Sequence, residues 1–323
     1  MRLLVLGGTQ FIGRHIVSAA LERGHEVTLF HRGNRDPFPE CDNILGDRNT
    51  TDLERLQGAW DAVIDTCGYV PRVVGLSAAH LEPRVRRYCF ISSISAYASL
   101  EGLPIEDAAL GQLEEETEEI TGSSYGPLKA LCEQVVTDAF GARGLLIRPG
   151  LVVGPFDPTD RFSYWVDRVA RGGAVLAPEG AAQQTCFIDA RDLAAFVIHA
   201  LEADLSGAFN ADGRSQSLPD VLEIMRSVSE SAATMTWATG EFLLEQAVKP
   251  WAGVDSLPLW TAGDPLGTNI DKALSAGLTH RSLEDTVRDT LAWLRSREAD
   301  HTWRSGISAT REAALLEVWR SRG

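Results

Sequence analysis

With 323 residues, 44% of them hydrophobic, the chain can bury one large α/β domain or a dinucleotide domain with a smaller partner, and its composition excludes disorder. A formal net charge of −15 disfavours general nucleic-acid binding, and no apolar run approaches the roughly 18 residues of a membrane span. The five cysteines are scattered without a Cys-x-x-Cys pair, which points to a reducing, cytoplasmic setting, and no His, Cys or carboxylate spacing suggests a metal site.

The first apolar run, residues 3–6, reads as a buried parallel strand rather than a secretory leader, because it is short and ends in Gly7-Gly8. Phe11, Ile12, His15, Ile16 and Ala19 then recur at helical spacing, Gly24 closes the helix as a C-cap, and residues 27–30 form a second strand. A strand, a glycine turn and a helix in this order bring bare N–H groups and a helix N-terminus up to a pyrophosphate. A dinucleotide cofactor is therefore expected at Gly7, Gly8, Thr9, Gln10, Phe11, Ile12 and Gly13, with Gln10 where a middle glycine often sits.

Strands are predicted at 43–45, 62–65, 85–92 and 145–148, with helices at 51–57 (capped by Thr50 or Thr51) and 125–140. This alternation predicts a doubly wound parallel sheet with helices on both faces. The acidic run at 114–119 reads as a solvated loop or helix face, and Arg84, Arg86 and Arg87 as a solvated edge. Cys67 and Cys89 are expected to be buried thiols. The second half is less regular, with helices predicted at 162–171, 193–202, 218–229 and 282–296 between Pro/Gly-rich loops. The tail, 310–322, places Leu315, Leu316 and Trp319 on one side of a helix that caps a smaller lobe or serves a subunit contact. The expected division is 1–155 for the dinucleotide domain and 156–323 for a substrate lobe, with 184–205 returning to the first domain.

Two further segments carry chemistry. The fifth strand runs into Ser92-Ser93-Ile94-Ser95-Ala96-Tyr97, and a helix starts Tyr125-Gly-Pro-Leu-Lys129. Tyr125 and Lys129 are four apart and share a helix face. Pro127 is tolerable there only in the first turn, with Ser123 or Ser124 as N-cap. A free tyrosine, with a pKa of roughly 10, is a poor base, but a nearby ammonium favours the phenolate.

At this point the chain resembles the short-chain dehydrogenase/reductase superfamily, in its extended, epimerase-like branch. The resemblance rests on Gly7-Gly8 to Gly13, Gly46-Asp47, Ser92-Ser93, Tyr125-x-x-x-Lys129, Arg148-Pro149-Gly150 with Gly154-Pro155, and Phe187-Ile-Asp-Ala-Arg-Asp192. It implies a Rossmann fold and a catalytic set of Ser93, Tyr125 and Lys129, in which Tyr125 moves a proton, Lys129 also holds the nicotinamide ribose and Ser93 bonds the reacting oxygen. Tyr97 is a rival acid/base without a lysine four residues on. The resemblance also implies that Asp47, with Arg48 beside it, bonds the adenine, that Cys67-Gly68 lines the cofactor, and that Pro149-Gly150-Leu151 flanks the nicotinamide amide. His31 stands where an NAD-preferring enzyme of this fold usually has a carboxylate, and Arg32 follows, so NADP(H) is favoured over NAD(H). Tyr69, Ser95, Phe156, Arg161 and Trp165 are candidate substrate contacts.

Two departures bear on the reaction. Ile94-Ser95 replaces the Asp-Glu pair of sugar-nucleotide dehydratases, and Thr185 replaces an arginine that binds the diphosphate in nucleotide-sugar epimerases. The expected function is oxidoreduction of a carbonyl or alcohol on a small metabolite, with epimerisation of a sugar-like substrate as the alternative. A non-catalytic cofactor sensor or RNA-associated protein is a second alternative, against which the intact Ser93, Tyr125 and Lys129 and the net charge both argue. A homodimer stays open; nucleic-acid and membrane partners are not expected.

Overall fold

A computed structural model describes residues 1–34, 38–179, 184–263, 266–297 and 301–322. The chain divides into two compact units. Met1–Val152, Ala190–Gly213 and Gly267–His280 form the first; Val153–Asp189, Arg214–Leu266 and Arg281–Gly323 form the second.

The first unit is built on a seven-stranded sheet. Its strands are β1 (Arg2–Leu6), β2 (Glu26–His31), β3 (Asp42–Leu45), β4 (Trp60–Asp65), β5 (Val85–Ile91), β6 (Gly144–Pro149) and a seventh, Gly207–Ala211. They run parallel in the order Gly207–Ala211, β6, β5, β4, β1, β2, β3. Leu3 to Leu6 are each 0% exposed, as the centre of a sheet covered on both faces requires. Successive side chains alternate between the faces. Leu4, Leu6, Val63, Tyr88 and Phe90 pack in one core with Val74, Ala78 and Leu81 of helix α2 (Pro71–Leu81, following α1, Phe11–Glu22) and with Cys132 and Val136 of α3 (Tyr125–Phe140). Leu3, Val5, Ala62, Ile64 and Cys89 point the other way and are equally buried. On that side α1 packs against the helix Ala190–Glu202.

Local chemistry explains the ends of α1. Gly24 takes φ 74°, the Gly24 N–H reaches Leu21 O at 2.9 Å, and the His25 N–H reaches Ala20 O at 3.0 Å. That is a Schellman closure, which needs a left-handed residue where the glycine stands. The strand order reverses between β1 and β4, so the crevice at their C-terminal ends is where this topology admits a ligand.

The second unit holds three mutually packed helices, Arg161–Ala170, Leu218–Val228 and Leu283–Arg295, and a parallel strand pair, Ala174–Pro178 with Thr234–Ala238. The tail helix Ala309–Arg322 lies against the strand Ala174–Pro178. It buries Leu315 and Leu316, stacks Trp319 on Phe242 at 4.7 Å, and sends buried Glu312 to the Arg168 guanidinium at 2.5 Å and the Leu176 N–H at 3.0 Å. It caps its own unit, one of its two expected roles.

Several expectations need correction. Residues 51–57 make only a short 3-10 helix, Thr51–Arg55, with Thr50 capping the Asp52 N–H. The acidic run, by contrast, is a loop, one of its two expected forms, with Glu118 gripping exposed Arg72. Arg87 is not a solvated edge: its guanidinium is buried against Asp204 at 2.6 Å. Cys67 is only partly buried, whereas Cys89 is buried as expected. Among the described residues, no helix is long and apolar enough to cross a membrane, and no cluster of His, Cys, Asp or Glu could hold a metal ion.

Candidate active site

The C-terminal edge of the first unit's sheet gathers most of the expected site residues. After β1, Gly7 and Gly8 take φ 96° and 80°. A Cβ on Gly7 would lie 2.6 Å from Thr66 Oγ1, and one on Gly13 would lie 2.9 Å from the Gly8 Cα. The turn and the first turn of α1 are therefore packed backbone to backbone, and any side chain at Gly13 would force them apart. Gln10 is extended at φ −133°, which a side chain tolerates, so the middle position needs no glycine. The strain falls on Phe11, a non-glycine residue at φ 34°. Gln10 supplies no side-chain cap, and the first N–H groups of a helix have no intrahelical acceptor. These donors meet the partial positive charge of the helix N-terminus, a combination that fits a pyrophosphate.

Thr66 escaped the sequence reading. Its hydroxyl donates to Leu6 O at 2.8 Å and accepts from the Gly8 N–H at 3.3 Å, so it ties the end of β4 to the glycine turn. Its position directly after a strand that neighbours β1 was the available signal.

The ends of β2 and β3 carry the next group. His31 is buried, with Nε2 2.9 Å from Asn43 Oδ1 and Nδ1 accepting from the Gly33 N–H at 3.2 Å. A neutral ring with its proton on Nε2 satisfies both contacts. Arg32 is exposed and has no hydrogen-bond or ion-pair partner among the described residues. Asp47 accepts from the Asn49 N–H at 2.8 Å. Arg48 turns inward instead of lining the edge, and the expectation of it as a group beside the adenine is corrected. Its guanidinium clamps Asp65 at 2.6 and 2.7 Å and reaches Ser77 Oγ and Cys67 Sγ, while the Tyr88 hydroxyl donates to Asp65 at 2.8 Å. Burial pushes the Asp65 carboxyl up, but the Arg48 guanidinium and the surrounding donors outweigh it and hold the carboxyl below its ordinary range.

The end of β5 and the start of α3 meet closely. Ser93 caps a short 3-10 turn, Ile94–Ala96, by accepting the Ser95 N–H at 3.1 Å, which leaves its own proton to donate. A Cβ on Gly126 would lie 2.0 Å from Ser95 O, so only a glycine allows the first turn of α3 to sit on the Ser93 turn. Tyr125 opens α3 and Pro127 falls in its first turn, where no intrahelical N–H is lost. Ser124 holds the entry by accepting from the Thr121 N–H at 2.8 Å rather than by capping α3. One turn on, the buried Lys129 ammonium donates to Gly68 O at 2.8 Å and Ile91 O at 2.6 Å. Burial lowers it to about 8, partly opposed by Cys132, Asp65, Glu133 and Cys67. Tyr69 stands over it, half exposed, with the ammonium 5.3 Å from its ring. Tyr97, the rival acid/base, is excluded from that role: it is 5% exposed, its hydroxyl donates to Asn210 at 2.7 Å and it accepts from Arg148 at 2.8 Å. At the end of β6, Pro149 pairs with Ala211, the Gly150 N–H reaches Ala211 O at 3.3 Å, and a Cβ on Gly150 would strike Asp212; Leu151 follows, buried.

A family model described as the NAD dependent epimerase/dehydratase family matches residues 3–77 and 70–211. The chain belongs to the NAD dependent epimerase/dehydratase family. It is an NAD-dependent enzyme of the extended short-chain dehydrogenase/reductase type. A curated relative, the chloroplast stem-loop binding protein of 41 kDa b of Arabidopsis thaliana, is 24% identical over 219 residues, 62% of this chain and 55% of its own. The match spans about half the length of that relative. Among solved structures, a UDP-N-acetylglucosamine 4-epimerase from Methanobrevibacter ruminantium, in complex with UDP-N-acetylmuramic acid, superposes with TM-score 0.70 at 18% identity, over 92% of this chain and 99% of that one. A UDP-glucuronic acid 4-epimerase from Bacillus cereus, in complex with UDP-glucuronic acid and NAD, superposes with TM-score 0.68 at 19% identity over the same shares. Identities this low carry the fold.

The remaining candidates of this family member belong to the second unit. Phe156 is 38% exposed at φ 69° and stacks on Trp293 at 5.7 Å. Arg161 reaches Thr159 Oγ1 at 3.2 Å and lies 5.1 Å from the Trp251 ring. Trp165 is corrected: it is fully buried, and its indole N–H donates to Pro258 O, so it belongs to the core of that unit and offers no surface to a ligand. In the first unit Ser95 is exposed beside Ser93.

Proposed function

We propose that this chain is an NAD(P)-dependent epimerase acting on a hydroxyl-bearing carbon of a sugar-like small molecule, through Tyr125, Lys129 and Ser93. The observation that carries the reading is the docking of α3 on the Ser93 turn through Gly126, which puts the three groups on the same sheet edge as the glycine cradle. The family, and the 4-epimerases whose fold it shares, favour epimerisation over net oxidoreduction.

When bound, the cofactor supplies a nicotinamide that accepts a hydride and, in an epimerisation, returns it. The chain's own groups manage the proton. The Tyr125 phenolate, favoured by the Lys129 cation, takes the hydroxyl proton as the carbon–hydrogen bond breaks. Ser93 donates to the same oxygen as charge shifts onto it. Tyr125 would give the proton back to the same oxygen at the end of the cycle. Lys129 has spent two of its three N–H groups on carbonyls, and the third serves the ribose. We assign Gly7 to Gly13 to the pyrophosphate, Asp47 to the adenine, Cys67-Gly68 and Pro149-Gly150-Leu151 to the nicotinamide half, and Tyr69 and Ser95 to substrate. Arg32, exposed and without a partner among the described residues, and the lack of a carboxylate at His31 favour a cofactor with a 2′-phosphate, hence NADP(H) over NAD(H).

The test is a panel of free and nucleotide-linked sugars incubated with catalytic NADP or NAD. An inverted product without net absorbance change at 340 nm supports epimerisation. One NAD(P)H formed or consumed per product molecule supports the oxidoreductase instead. No turnover, with salt-sensitive RNA binding below micromolar, would replace both with the stem-loop binding that the Arabidopsis relative's name describes.

A further inference from the structure

The Lys129 ammonium is enclosed by two carbonyls and two rings. Gly68 O and Ile91 O accept from it, the Phe90 ring lies at 4.3 Å and the Tyr69 ring at 5.3 Å. Three of these walls are fixed. Phe90 and Ile91 belong to β5, and Gly68 is so close to Phe90 that a Cβ on it would lie 2.6 Å from that ring. The fourth wall is different. Tyr69 follows β4 in a loop, is 45% exposed, and its hydroxyl makes no hydrogen bond among the described residues. Nothing anchors the phenol oxygen, so what Tyr69 contributes at this place is its ring.

We propose that Tyr69 is a positioning residue that acts through Lys129: its ring closes the outer side of the ammonium's cage, controls access of water to it, and so limits the pH range over which Lys129 stays charged. Charged and titratable groups also surround the cage, and they oppose the effect of burial. From α3 these are Tyr125, Cys132 and Glu133; from the end of β4 they are Asp65 and Cys67. Glu133 is committed to Arg148 at 2.6 Å and Asp65 to Arg48 at 2.6 Å, so neither carboxylate is spare to neutralise the ammonium. Burial is the largest influence on Lys129, and it works against the charge. The ring has two opposed effects: its face attracts the cation, and its bulk excludes water. Burial is the largest influence on this ammonium, so opening the cage is expected to raise its pKa.

The experiment is an NMR titration of lysine side chains in the full chain without cofactor. The chain has only three lysines, Lys129, Lys249 and Lys272, so assignment needs two Lys→Arg variants. Wild type is expected to titrate near 8 at Lys129. Tyr69→Phe keeps the ring and keeps that midpoint. Tyr69→Ala admits water and moves the midpoint up by about one unit or more, towards the ordinary lysine value. An unchanged or lowered midpoint in Tyr69→Ala overturns the proposal, as does an equal rise in Tyr69→Phe. The catalytic consequence, an alkaline limb of kcat/KM that moves with the midpoint, rests on the proposed function. The midpoint itself does not: a shift in a protein that binds no pyridine nucleotide refutes that function and leaves the cage intact.

Discussion

The two units bury charge for different ends. In the first, Arg48 and Tyr88 meet on Asp65, the last residue of β4, Lys129 of α3 reaches the carbonyl at the end of β5, and Arg148 near the end of β6 gathers Glu133 and Tyr97. In the second, Glu312 closes on Arg168 and the Leu176 N–H, and fully buried Asp160 takes Arg297 at 3.1 Å, His301 at 2.9 Å and the Arg304 N–H at 3.0 Å. Those contacts tie segments more than a hundred residues apart and close on themselves. Desolvating an ion pair is costly in either place, so neither set is explained by stability alone. The difference lies in what each leaves open. The first set holds backbone and side-chain donors at the edge proposed here to receive the cofactor; the second holds the tail of the chain in place.

The contrast can be broken in four ways, taken from the largest expected effect. Tyr125→Phe removes the proton carrier and should lower kcat by about 10²–10⁴-fold, with cofactor affinity unchanged in a fluorescence titration. Asp65→Leu and Glu312→Leu each strand a buried guanidinium and should each cost about 3–5 kcal/mol in urea unfolding. Only Asp65→Leu should also weaken cofactor binding, because Asp65 accepts the Cys67 N–H and anchors the strand end at the cradle. Equal weakening by Glu312→Leu would erase the distinction between the units. Arg32→Ala should reduce NADP(H) affinity by about tenfold or more while sparing NAD(H), the loss of charge-assisted bonds to a 2′-phosphate. The smallest effect is in the pH profile. Lys129 has a lowered pKa, so its charge is complete below about 8 and lost as pH rises through that value. Activity should fall on the alkaline side from there rather than near 10, which a pH series of kcat/KM reads directly.

What could be read from residues alone follows the same division. The β1–turn–α1 start was legible because its geometry is local: Gly7, Gly8 and Gly13 answer close contacts among neighbours in the chain. Tyr125 and Lys129 were legible because four residues on a helix define a face. The helix α2 was not, since Pro71, Val73, Val74 and Gly75 weaken its helical signal, and its formation depends on Val74, Ala78 and Leu81 meeting α3 and the sheet. The strand Gly207–Ala211 was hidden by small residues and exists through its pairing with β6. Arg48 read as an edge residue because its partner, Asp65, lies seventeen residues away across the crevice. Trp165 read as a substrate contact because aromatic composition does not distinguish a pocket from a core.

The central claim is that the glycine turn and the first turn of α1 hold a pyridine nucleotide at the edge of the first unit's sheet. The most direct measurement is a titration of NADPH and NADH into the wild type and into Gly13→Val, with circular dichroism to confirm that both are folded. The account predicts saturable binding in the wild type, tighter for NADPH, and its loss in Gly13→Val, where a side chain must push against the Gly8 Cα 2.9 Å away. A folded wild type that takes up neither nucleotide, or a Gly13→Val variant that binds as the wild type does, would contradict it.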